Sequence, residues 1–253
     1  MEQTEKPWYE SIWTLDTKNM SWVENTEKEV EFIIRTMGLT GSERILDLAC
    51  GFGRHSLAFS ERGYDVVGVD ITPAFIEDAR KTAKERGLSA EFILADIRDV
   101  DFYEEFDVAL NLADGAVGYL EDDMENLKIF NVVARALKPG GKHFMDICNR
   151  EHAESCFPKR SWEAGEKSLS LADFKWDEKT KRMLYSEAVI PFEEIAKPPV
   201  LTDPYPGIRL YNKREVREIF SARGMSVLQT FSDYDGNPET HKRIQLMVYS
   251  KKD

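Results

Sequence analysis

Ile45-Leu46-Asp47-Leu48-Ala49-Cys50-Gly51-Phe52-Gly53-Arg54-His55-Ser56 is an apolar run that ends in two glycines and passes into a helical pattern. It reads as strand, tight turn and helix. Ile45, Leu46 and Leu48 suit a parallel strand buried on both faces. Gly51 and Gly53 lack the Cβ atoms that would keep a ligand from the backbone. A second apolar run, Asp65-Val66-Val67-Gly68-Val69-Asp70, closes on an acid. That acid follows the glycines by about 20 residues, the spacing at which a strand-end carboxylate meets a ribose diol.

The glycine pair alone is compatible with a plain turn; Asp70 adds the case for a nucleoside ligand. The dinucleotide fingerprint asks for a third glycine where Ser56 stands. A pyrophosphate cradle therefore fits less well than a cofactor with ribose and adenine but no phosphates, such as S-adenosylmethionine. Four segments in order, Asp47 to Gly53, Val69-Asp70, Ala95-Asp96-Ile97 and Leu137-Lys138-Pro139-Gly140-Gly141, resemble the motifs of class I S-adenosylmethionine-dependent methyltransferases. Ala49 stands where those proteins often carry glycine. Finer details, Gly53-Arg54-His55, Asp114 to Tyr119 and Asp146-Ile147-Cys148-Asn149, are similar to a bacterial and archaeal branch of small-molecule or uncharacterised methyltransferases.

The resemblance implies a cofactor site of Asp47, Ala49, Gly51, Gly53, Asp70, Ile71, Asp96, Ile97 and Leu112. In it, Asp47 orients the turn or meets the cofactor's ammonium through water, and Asp70 accepts from the ribose. Asp96 accepts from the adenine amine while the Ile97 N–H donates to the ring, and the Leu112 carbonyl receives the ammonium. Each acid also has an ordinary reading: Asp47 on a surface strand, Asp70 beside a helix N-terminus, Asp96 as a turn former before Arg98. Their recurrence at consecutive strand ends favours the site.

The 253 residues are 42% hydrophobic and 32% charged, enough for one sizeable core, or one core with a smaller attached layer. A net charge of −12 disfavours a nucleic-acid backbone as partner. Cys50, Cys148 and Cys156 show neither metal-ligand spacing nor a paired framework, so no metal is expected. The first residues lack an apolar signal core and no apolar run is long enough to span a membrane, which points to the cytoplasm.

Four parts follow along the chain. Residues 1–40 carry Trp8, Tyr9, Trp13 and Trp22, which either seal a sheet edge or form a lid, and then a helix whose Thr26-Glu27-Lys28-Glu29 has the form of a capping box. Residues 41–150 alternate five apolar strands with helices, the pattern of a cofactor-binding core with right-handed crossovers. In residues 151–211, the segments 167–176 and 182–190 alternate around Asp177 to Thr180 as an antiparallel hairpin, followed by a proline-rich loop over 197–207 and a strand near Ile208 to Tyr211. This insertion is expected to cover the active site. Residues 212–253 add a helix and two strands, completing a doubly wound, seven-stranded, mostly parallel α/β sheet; the reversed last strand is implied by the resemblance.

Methyl transfer is an in-line displacement that needs no protein nucleophile, so the chain chiefly positions and desolvates. Candidates for a small-molecule acceptor are Asp114 and Tyr119 after strand four, Asn149 after strand five, and Arg209 and Tyr211 near the insertion. His143 begins strand five at the far end and is discounted as a base, and His55 reads as structural or as a cofactor neighbour. The competing readings are a nucleotide-cofactor oxidoreductase and a regulatory protein that binds S-adenosylmethionine without turnover.

Overall fold

The computed structural model describes residues 8–11, 13–164, 168–192 and 206–253. In the core, the strands are β1 (Arg44–Leu48), β2 (Asp65–Asp70), β3 (Glu91–Leu94), β4 (Phe106–Asn111) and β5 (Leu137–Cys148). The insertion adds β6 (Lys159–Ala164), β7 (Ser168–Asp177), β8 (Arg182–Pro191) and β9 (Gly207–Arg209), and the chain ends with β10 (Met225–Phe231) and β11 (Gln245–Lys252). Helices are α1 (Trp8–Ser11), α2 (Thr26–Met37), α3 (Arg54–Glu61), α4 (Pro73–Arg86), α5 (Asp123–Ala136), α6 (Arg150–Cys156) and α7 (Lys213–Ser221).

Seven strands form one sheet in the order β10-β11-β5-β4-β1-β2-β3. The β1, β2, β3, β4 and β5 neighbours pair parallel, and β11 lies antiparallel to both β5 and β10. The sheet is apolar on both faces because neighbouring residues of each strand point opposite ways. Ile45, Val66, Val108, Phe144 and Met247 pack with Phe32, Ile33 and Phe59 on the α2–α3 side. Leu46, Val67, Ala109, Met145 and Val248 pack with Phe130, Val133 and Phe220 on the α5–α7 side. Each such side chain, fully buried, contributes roughly 1.5–3 kcal/mol. His143 lies within this sheet, fully buried between Ser250 and the Asn111 side chain, so its role is structural.

The insertion forms its own antiparallel sheet, β6-β7-β8-β9. The hairpin and the short β9 match the alternation in the sequence, while α6 and β6 are additions to it. The expected proline-rich loop lies mostly outside the described residues. Strand five begins earlier than expected, at Leu137, and its pairing with β4 shifts between Phe106 and Val108, so Pro139, Gly140 and Gly141 lie inside the irregular start of the strand.

The capping box at Thr26 is not formed. Thr26 is already helical, and its hydroxyl donates to the Val23 carbonyl at 2.6 Å. Glu29 is drawn away by Arg54 and His55, whose Nη1 and Nε2 lie 2.5 and 2.7 Å from its carboxylate. Two buried cationic or polar partners outweigh one backbone N–H. A capping box does form at α7, between Asn212 and Glu215.

Candidate active site

At the carboxyl end of β1 the chain turns through Ala49, Gly51 and Gly53, all with positive φ (59°, 56° and 78°). Asp70, at the end of β2, fastens this turn: Oδ2 accepts from the Gly51 N–H and Oδ1 from the Thr72 N–H, both at 2.8 Å. Burial raises its pKa, and the two amides oppose that rise. Gly53 serves packing, not ligand approach: a Cβ there would stand 2.7 Å from the Phe92 ring. Behind the turn, the Ser56 hydroxyl donates to Asp47 Oδ2 at 2.6 Å, tying α3 to β1. That contact explains why serine stands at this position. Asp47 is only 2% exposed, which removes the surface-strand reading, and burial pushes its pKa up to about 6.

A cleft of about 990 Å³, open to solvent, lies on the turn. It brings together six of the nine expected cofactor residues, Ala49, Gly51, Asp70, Ile71, Asp96 and Ile97. Asp47, Gly53 and Leu112 are not on its wall. Leu112 is buried and its carbonyl accepts from the Gly115 N–H, so Ala113, Gly115 and Ala116 form that wall instead. Asp96 faces the cleft while its carboxylate also accepts from the Arg98 amide and guanidinium. Burial acts to raise its pKa, but the Arg98 contacts outweigh this and hold the carboxyl below its ordinary value. The turn-former reading and the cavity reading of Asp96 are thus compatible. Tyr9, Trp13, Trp22, Phe52 and Phe75 supply aromatic walls.

Of the acceptor candidates, only Tyr119 reaches the cleft. Asp114 lies half-buried near it in sequence, with Oδ1 accepting from the Cys148 N–H at 3.1 Å. Asn149 does not line the cleft; its side chain caps α6 through the Glu151 N–H and donates to the Thr240 carbonyl. Arg209 pairs with Glu215 and stacks over Tyr211, and Tyr211 packs edge-on against Phe130 in the core. None of the three lines the cleft, and each makes its own contacts through capping, ion pairing or packing. Nor do the described residues of the insertion line the cleft. They reach it indirectly, since Met183, Ile208 and Leu210 pack with Tyr119, Trp8 and Trp13.

Two features escaped the sequence reading. Arg54 reaches from the glycine turn's helix to Glu29 and Thr26 on α2 and lies over Trp22, 5.1 Å from its ring centroid. Beside it, burial and Arg54 push His55 down to about 4, against the pull of Glu29, so His55 is a neutral structural partner. The second feature is the loop after β4, where Ala113, Asp114, Gly115 and Ala116 run consecutively at φ 50–69°. Non-glycine residues in that region cost roughly 1–3 kcal/mol each, and such strain concentrates at functional sites. Gly118 follows at φ 88°, where a Cβ would lie 1.9 Å from the Arg209 carbonyl oxygen. The Arg209 N–H donates to the Gly118 carbonyl at 2.6 Å, and Arg182 donates to the carbonyls of Leu120 and Glu121. Both arginines come from the insertion, whose placement thereby holds the strained loop.

This is the architecture of a class I methyltransferase fold, with a cleft at the carboxyl ends of the strands beside the glycine turn. Residues 45–141 match the model of the family described as a methyltransferase domain. The fold as a whole is similar to the CcbJ methyltransferase of Streptomyces caelestis (TM-score 0.75, 15% identity, 96% of this chain and 94% of that one). It is also similar to an S-adenosylmethionine-dependent methyltransferase of Clostridium acetobutylicum (TM-score 0.72, 18% identity, 90% and 92%). In sequence it is 36% identical over 117 residues to a ubiquinone biosynthesis O-methyltransferase of Idiomarina loihiensis, covering 46% of each chain. The chain spans about half the length of the curated relatives it matches. Among the described residues no helix is long and apolar enough to cross a membrane.

Proposed function

We propose that the protein is an S-adenosylmethionine-dependent methyltransferase that moves a methyl group to a nitrogen or oxygen of a small-molecule acceptor, leaving S-adenosylhomocysteine. The observation that carries this is the convergence of Asp70, Asp96 and the positive-φ turn on one cleft. The residues present fit the cofactor. Each Asp70 oxygen holds one backbone amide and keeps a lone pair for one hydroxyl of a ribose diol. Asp96 offers acceptor oxygens, and Ile71, Ile97 and Phe75 offer apolar wall for an adenine ring.

When bound, the cofactor supplies an electrophilic methyl on a sulfonium. The protein's part is to hold the nucleoside, exclude water and orient the acceptor. Asp70 and Asp96 fix the nucleoside, the Ala49–Gly51 backbone admits the amino-acid tail, and Tyr9, Trp13 and Trp22 shield the reacting region from solvent. Tyr119 borders the acceptor. The aromatic wall and the acidic net charge favour a small, uncharged or cationic acceptor over a nucleic acid.

The test is transfer of labelled methyl groups from S-adenosylmethionine to a panel of phenols, heteroaromatic alcohols and amines, with calorimetric titration of S-adenosylhomocysteine alongside. Binding with transfer is expected. Binding without transfer across the panel would favour a regulatory protein, and preference for a nicotinamide dinucleotide would favour an oxidoreductase.

A further inference from the structure

We propose that β6 is a self-association edge: it pairs antiparallel with β6 of a second copy of this chain about a two-fold axis at Ser161, joining the two four-stranded insertion sheets into one. The inference is independent of the methyl-transfer reading. β6 ends the order β6-β7-β8-β9, so among the described residues no strand pairs with its outer side. The outward N–H and C=O groups of such a strand are a template for another strand.

The other strands at sheet edges are poorer templates. β3 and β9 have four and three residues, and the pairing of β10 is broken by a register shift between Val227 and Gln229. β6 runs six residues against β7 without a shift, from Lys159 opposite Phe174 to Ala164 opposite Leu169. It also projects beyond the body of the protein. Phe174 packs in the cluster that holds Tyr119 and Ile208, which puts its cross-strand neighbour Lys159, and Glu163 with it, on the body side of the sheet; both are nonetheless exposed. On the opposite face Trp162 is 72% exposed and the Arg160 side chain 84%.

Charges on an edge strand ordinarily prevent pairing. Here the order Lys159-Arg160-Ser161-Trp162-Glu163 makes one register self-complementary. With the axis at Ser161, each Lys159 faces Glu163 of the other copy on one side of the sheet, and each Arg160 faces Trp162 of the other copy on the other side. The first is an opposite-charge pair and the second a guanidinium–indole contact that covers the exposed ring. Arg160 is placed for it, since its Nε lies 3.7 Å from Asp173 on β7 and the rest of the side chain stays in solvent. Neighbouring registers lack this match. An axis at Arg160 or at Glu163 sets like charges against each other, and an axis at Trp162 sets indole against indole and pairs no charges. A contact of six residues a side is smaller than the roughly 20–30 of a standard interface, so the dimer is weak and reversible.

Sedimentation velocity of the full chain over a concentration series is expected to show a monomer–dimer equilibrium. Lys159→Glu sets acid against acid across the axis and Glu163→Lys sets base against base, so each is expected to raise the dissociation constant at least about tenfold. An equimolar mixture of the two variants should regain the dimer, because every facing pair then joins an acid to a base; a residue with only a structural role in its own chain would give no such rescue. Ser161→Cys should form a disulfide-linked dimer under mild oxidation much faster than wild type, whose exposed Cys156 supplies the background. A wild type that stays monomeric throughout, a dimer unmoved by both charge reversals, a mixture that fails to associate, or Ser161→Cys cross-linking no faster than wild type overturns the proposal.

Discussion

Replacing Asp70 by alanine removes a carboxylate that fastens the turn and that we propose also receives the ribose, and the sizes of the two effects are separable. For the ligand, two ribose hydroxyls lose a charged acceptor in a site only 7% exposed. Hydrogen bonds to a charged group are worth about 1.5–3 kcal/mol, so the dissociation constant of S-adenosylhomocysteine should rise roughly 10- to 150-fold. For the fold, the Gly51 and Thr72 amides lose their acceptor. Leaving such a donor unpaired costs about 1–3 kcal/mol when it is buried, and Gly51 faces the open cleft, where water relieves part of that cost. Urea unfolding measures the second effect, and titration calorimetry on the folded variant measures the first. A folded Asp70→Ala protein with wild-type affinity would refute the ribose role and leave Asp70 only as the fastening of the turn.

Asp96→Asn should weaken S-adenosylhomocysteine binding less than Asp96→Ala, because the amide keeps one acceptor oxygen for the adenine amine and for Arg98; equal losses by calorimetry would count against that contact. Gly118→Ala should destabilise the fold by at least about 2 kcal/mol in urea, since its Cβ would overlap the Arg209 carbonyl at φ 88°. An unmoved midpoint would contradict the loop geometry. Burial pushes the His143 pKa down to about 3, so the folded protein keeps it neutral while the unfolded chain protonates it near pH 6.5. Its contribution to stability is then complete above pH 6.5 and is lost as pH falls toward 3, by about 2 kcal/mol at pH 5. The stability difference between wild type and His143→Gln should shrink by that amount between pH 7 and 5; a constant difference would show that His143 protonates equally in both states.

The core was legible because its strands are buried on both faces and its helices end at glycines, Gly63 and Gly87 among them, so local composition and tertiary role agree. The insertion hairpin was legible from its alternation. Strand β6 was not, because Lys159–Ala164 is mostly exposed and carries no periodic signal. The misread cap at Thr26 has a tertiary cause: the partners of Glu29 lie 25 and 26 residues away and appear only when α2 meets α3. Asn149, Arg209 and Tyr211 were placed near the site by chain order, but order says nothing about where a side chain's hydrogen bonds are spent. The left-handed run at Ala113, Asp114 and Ala116 had no sequence mark beyond Gly115 and Gly118, since alanine carries no propensity for positive φ.

Hydrogen exchange with and without S-adenosylhomocysteine tests the cofactor cleft most directly. Protection is expected in peptides covering residues 49–53, 70–72 and 95–98, which meet at the cleft, and in the aromatic segment around Trp13 and Trp22 that lines it. The insertion strands β7 and β8, which do not line the cleft, should change little. Uniform exchange at saturating ligand, or protection confined to residues outside the glycine turn and the two acidic strand ends, would contradict the account.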